Sequence, residues 1–125
     1  MTEFQDQLIM SGDDQVGDCA RAVTASIIGK KTHAVPHFGL LGQVHAFETM
    51  VAWLQYKGWD VGCNLDDFDQ SPEPLCMLKG FSPRRIYHAV VGDTATLKMV
   101  HDPHPSRAGL LSVTNVLYFF RRPKL

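Results

Sequence analysis

Cysteine is scarce in this chain, and what there is does not pair up. Cys19, Cys63 and Cys76 form an odd set with no Cys-x-x-Cys spacing, which argues against a disulfide framework and a structural zinc site. Reduced thiols suit a cytoplasmic compartment. An excess of one charge is also missing: 12 Lys and Arg stand against 13 Asp and Glu, for a formal charge of −1. The whole chain therefore offers no general attraction to nucleic acid or to an anionic membrane. No run approaches the ~20 apolar residues that a spanning helix needs. The opening Met1-Thr2-Glu3-Phe4-Gln5-Asp6 is polar and acidic and does not read as a secretory signal. There is no repeat, low-complexity stretch or linker, so 125 residues predict one domain, residues 1–125.

What is present is ordinary globular composition, 45% hydrophobic and 20% charged, whose pattern changes period midway. The first half has helical spacing. Asp18 is set to cap a helix running from Cys19 to Ile28 and stopping at Gly29. Cys19, Val23 and Ile27 recur every fourth residue on one face. After a loop from Lys30 to about Gln43, a second helix is predicted over Val44 to Lys57. Phe47, Met50, Val51 and Leu54 form its stripe, and Gly58 its left-handed end. Apolar runs then shorten, at Leu75–Leu78, His88–Gly92, Leu97–Val100 and Val113–Phe120, with a further short strand at Trp59–Cys63. Ser82-Pro83, Asp93-Thr94 and the stretch from Asp102-Pro103 to Gly109 read as turns. Helices first and antiparallel strands afterwards predict an α+β domain.

Three residues carry a candidate chemistry. Cys19 falls at a helix start, where free amides and the helix dipole favour a thiolate. His88 opens one predicted strand and Asp102 closes the next. A three-residue loop Thr94-Ala95-Thr96 sets paired positions summing to 190, with His88 opposite Asp102. Directly opposed residues have Cβ atoms roughly 4.5–5.5 Å apart, so a carboxylate reaches the imidazole. A slip of one residue would put His101 there instead. Taken singly, each has a plainer explanation: a small buried thiol, a strand-end histidine, a turn aspartate. The order of the three favours the chemical reading.

The segments Gln15-Val16-Gly17-Asp18-Cys19, His88-Ala89-Val90-Val91-Gly92 and Val100-His101-Asp102-Pro103 resemble the papain-like cysteine peptidase superfamily. The similarity is greatest to the bacteriocin-leader-processing (double-glycine) peptidases. Val35-Pro36-His37-Phe38 and His101-Asp102-Pro103-His104-Pro105-Ser106 also resemble small bacteriophage-type proteins. The chain departs from many relatives in having Gln15 four residues before Cys19, not about six, and Ala20 in place of Gly. The resemblance implies a papain-like core with N-terminal helices packed on a C-terminal antiparallel sheet. It implies Cys19 as nucleophile, His88 as base, Asp102 as the residue orienting the base and Gln15 as oxyanion donor. No metal or cofactor is implied. The partner is a peptide or protein substrate, met in the cytoplasm, or in the host cytoplasm for a phage-encoded chain. Substrate-binding residues and oligomeric state are left open.

The expected reaction is hydrolysis of an amide, peptide or isopeptide bond through a thioester on Cys19. A transglutaminase-type acyltransferase uses the same residues. The rival from another class is a non-catalytic papain-like binding module or phage-encoded inhibitor or adaptor. A chain this short favours the rival, whereas the intact Cys, His and Asp favour the enzyme. His101 and His104 flank Asp102 but lie at a strand end and in a Pro-rich turn, where nothing sets a metal-ligand spacing. Cys63 and Cys76 read as structural. Arg84, Arg85 and Arg107, in the loops beside His88 and Asp102, are either exposed loop charges or contacts for an acidic or C-terminal carboxylate.

Overall fold

The computed structural model describes residues 3–12, 16–63 and 71–122. Two helices, α1 (Cys19–Ile28) and α2 (Gly42–Tyr56), pack on one face of a five-stranded antiparallel sheet. The strands are β1 (Trp59–Cys63), β2 (Leu75–Phe81), β3 (Tyr87–Asp93), β4 (Met99–His101) and β5 (Asn115–Arg121), in the order β1-β5-β2-β3-β4. Two short 3-10 helices, Thr32–Ala34 and Phe38–Leu41, fill the connection between α1 and α2. Among the described residues no helix is long and apolar enough to cross a membrane.

Alternation along the strands divides the core in two. Met77, Ala89, Val91, Leu117 and Phe119 face the helices and join Val23, Ala25, Met50 and Leu54 in the main cluster. Cys76, Leu78, Val90, Val116 and Tyr118 form a smaller cluster on the second face. Full burial of a side chain such as Leu54 or Phe119 contributes roughly 1.5–3 kcal/mol, so the helix-side layer supplies most of the apolar stabilisation.

The first helix has its predicted bounds. It ends at Gly29, whose φ of 77° is the left-handed conformation that glycine adopts without strain. Asp18 holds the N-cap position without making a side-chain cap bond. Its carboxylate instead accepts the Ile9 N–H at 2.8 Å and pairs with Arg21 at 3.3 Å, because a neighbouring segment competes for the same oxygens. In α2 the buried stripe is Met50 and Leu54, with Ala46 and Trp53 packed against the core. Phe47 lies 40% exposed, one helical step off the face that its spacing seemed to share. The helix also starts two residues before Val44.

The β3–β4 hairpin departs from its predicted register. Val91 pairs with His101 and Gly92 with Met99, with an irregularity between them. The turn takes an extra residue, Leu97, at φ 59°, while Asp93 Oδ1 accepts the N–H groups of Ala95 and Thr96. His88 is therefore opposite neither Asp102 nor His101 in the ladder.

Residues 3–11 run as an arm between the helix layer and the β4 edge. Gln5 N–H donates to Ser26 Oγ at 2.8 Å, and Thr32 Oγ donates to the Asp6 carbonyl at 2.8 Å. On the other side Gln7 N–H donates to the Pro103 carbonyl at 3.1 Å, and Arg107 grips the Asp6 carboxylate through both terminal nitrogens.

Candidate active site

Alternation puts His88 on the second face of the sheet, in step with Val90 and opposite Gly80 of β2. Gly80 is needed there, since a Cβ at this position would sit 1.9 Å from the Ser112 carbonyl oxygen. The loop after β4 therefore closes down on the sheet beside the imidazole. Asp102 follows His101, whose side chain turns to the helix side, and so points to the same face as His88.

His88 Nε2 and Asp102 Oδ1 are 2.7 Å apart, with side chains 4% and 0% exposed. The carboxylate also accepts the His104 N–H at 2.9 Å and the Gly109 N–H at 2.7 Å. Burial alone would raise its pKa; the bonds from His88, His104 and Gly109 outweigh burial and hold it below the usual carboxylate value. A carboxylate with this many donors stays ionised and fixes the imidazole through Nε2. That leaves Nδ1, the nitrogen nearer the backbone, for other work.

Cys19 opens α1, half-buried against the main core. Its thiol faces the backbone N–H of Ala89, the amide that joins His88 to Ala89, and the N–H of its own neighbour Ala20. Burial pushes the thiol pKa up, and these two amides and the charge of Lys79 only partly offset it. No hydrogen bond joins the thiol to the imidazole among the described residues. The structure thus brings His88 and Asp102 into direct contact and sets Cys19 against the backbone of the same histidine. Gln15 lies outside the described residues.

Other candidates separate. Cys76 is fully buried and its thiol is pushed up to about 11, first by burial. Cys63, read as structural, is exposed at the end of β1 and lies in neither core cluster. His101 stacks on Phe4 and bonds Asp6 at 3.0 Å, whereas His104 Nδ1 meets Ser106, so the two turn to different partners.

Sequence reasoning missed Lys79. A lysine at a helix-facing position of the apolar run Leu75–Phe81 was the available signal. Burial lowers its pKa, while the fields of Cys19 and Cys63 act in the opposite sense.

No family model, curated protein or solved structure matches the chain.

Proposed function

We propose that the protein is a papain-like cysteine hydrolase that opens an amide, peptide or isopeptide bond through a thioester on Cys19. The observation carrying this reading is the buried His88–Asp102 pair, whose Nε2 bond leaves Nδ1 unused, with the Cys19 thiol set against the amide that joins His88 to Ala89. In this mechanism Cys19 passes its proton to Nδ1 and the sulfur adds to the carbonyl carbon. The carbon–nitrogen bond breaks, and the departing amine takes the proton from His88. Water then hydrolyses the thioester and restores the thiol. Asp102 keeps the ring in one tautomer and steadies its positive form. The amides of Ala20 and Ala89 offset part of the cost of a buried anion. An amine in place of water would give acyl transfer with the same residues.

One observation favours the second reading, a papain-like module that binds without turnover: burial raises the thiol of Cys19. The pH dependence of alkylation at each cysteine, read by peptide mass, separates the two. A thiolate paired with imidazolium keeps reacting at about pH 5, far below the free-thiol range near 8.5. Cys19 is expected to do so in wild type and to lose this acid-side reactivity in His88→Ala. A wild-type Cys19 profile without acid-side reactivity removes the enzyme reading in favour of the binding module.

A further inference from the structure

Three arginines flank the His88–Asp102 pair in sequence, and the fold gives them different fates. Arg107 is engaged by the Asp6 carboxylate, with Nη1–Oδ1 at 2.5 Å and Nη2–Oδ2 at 2.9 Å. Arg85 is exposed in a tight turn at φ 63°. Arg84 lines a cavity of about 70 Å³ together with Gln7, Ser11, Ile86, His88 and His104. The turn carrying it is pinned at its base, with the Ser82 N–H and hydroxyl both donating to the Ile86 carbonyl at 2.9 and 3.0 Å.

The charged groups around this cavity differ in what holds them. His104 Nδ1 accepts the Ser106 N–H at 3.0 Å, so the ring proton rests on Nε2 and the ring is neutral. Burial, and then the field of Arg84, hold its pKa below the usual histidine value. Asp102 keeps its negative charge, but its oxygens are occupied by bonds from His88, His104 and Gly109. Arg84 donates to Ser106 Oγ at 2.9 Å, a neutral partner, and among the described residues no carboxylate lies within ion-pair distance of it. Arg84 is therefore a cation lining the cavity beside His88 whose guanidinium has no carboxylate partner among the described residues. A water molecule needs on the order of 10–15 Å³, so the space suits a group of a few heavy atoms.

We propose that this cavity is a subsite for a carboxylate next to the scissile bond, with Arg84 as the specificity-determining residue. The inference rests on the cysteine-hydrolase reading of the same site. Substrates would then be amides bearing a free C-terminal carboxylate or an acidic side chain beside the reacting carbonyl. A guanidinium presents paired N–H groups to the two carboxylate oxygens, and such charge-assisted bonds are about twice as strong as neutral ones.

Two measurements on the full chain test this. In the first, acetate is titrated while the imidazole signals of His88 and His104 are followed by NMR, with acetamide as the neutral control. Both signals are expected to move with acetate only, and to stop moving in Arg84→Gln. In the second, Cys19 is alkylated with iodoacetate or iodoacetamide, the thiolate displacing iodide in each case. The iodoacetate-to-iodoacetamide rate ratio is expected to fall about tenfold or more in Arg84→Gln. In Arg84→Lys, which keeps the charge, part of the preference remains. An unchanged ratio in Arg84→Gln, or histidine signals indifferent to acetate, overturns the subsite. The acetate titration needs no reactive thiol, so it still judges the subsite if Cys19 proves inert and the hydrolase reading fails.

Discussion

Two histidine–aspartate pairs lie on opposite sides of the same sheet edge, built from consecutive residues, and they are not equivalent. His101 faces the helix side, bonding Asp6 at 3.0 Å with side chains 17% and 53% exposed. Asp102 faces the other side and holds His88 at 2.7 Å with both side chains buried. Asp6 also shares its charge with Arg107, the first cause of its lowered pKa, in contact with water. Asp102 has backbone amides and an imidazole for company. The chemistry of the partners is the same; solvent decides which pair ties the arm down and which can hold a proton in place. Exposed ion pairs contribute little because water screens them, whereas a buried carboxylate orients its partner strongly and becomes costly when that partner is removed.

The sharpest test of the inner pair is chemical. Cys19→Ala is expected to abolish turnover of any amide substrate identified, and His88→Ala to reduce it by at least ~10²–10⁴-fold, the usual contribution of a general base. The corresponding change in the outer pair, His101→Ala, leaves the rate per folded molecule near wild type. Equal losses at His88 and His101 would erase the distinction.

Removing the inner carboxylate comes next. Asp102→Ala strands the N–H groups of Gly109 and His104 and one imidazole nitrogen, and each unpaired buried polar group costs about 1–3 kcal/mol. Urea unfolding should show a loss of several kcal/mol, with a smaller loss in Asp102→Asn, which keeps an acceptor oxygen. The pH sign follows from the depressed pKa of Asp102. Its contribution is complete above the unfolded value of about 3.9 and is lost as pH falls through the lower folded value. Wild type should therefore lose stability on acidification below about pH 4 more steeply than Asp102→Asn does.

Gly80→Ala should make the inner pair more like the outer one. The added methyl meets the Ser112 carbonyl and pushes the covering loop away, at a cost of about 1–3 kcal/mol. Faster hydrogen exchange at the Gly109 amide reports the opening directly. The smallest effect belongs to Asp6→Asn, about 0–1 kcal/mol, read from the urea midpoint.

The parts of this architecture that the sequence announces are those governed by near neighbours. Gly29 marks the end of α1, and the alternation of Ala89, Val90 and Val91 separates the two faces. The hairpin register escaped because it depends on Leu97 adopting a positive φ, which no local signal favours in a leucine. Phe47 misled because a stripe read every third or fourth residue does not say which edge of the face meets the core. Asp18 reads as a capping side chain because its other partner, the Ile9 amide, belongs to an arm without a periodic pattern. Asp6 and Arg107 are 101 positions apart, and nothing in either neighbourhood names the other. The sequence brings His88 near Asp102 through a pairing that the ladder does not use. Their contact comes from a shared face and a closed loop, not from direct opposition.

The arm has a consequence for the order in which the molecule is made. Its bonds to His101 and Arg107 join positions 95 and 101 apart, so the arm leaves the ribosome well before the partners of its final contacts. Helix α1 can form within its own stretch of chain, but Gln7 and Ser11 can wall the cavity beside His88 only after Arg107 has been synthesised. A nascent chain stalled short of that point carries Cys19 and His88 without the finished chamber around them. Completion of the site is thereby linked to synthesis of the segment that carries Arg107.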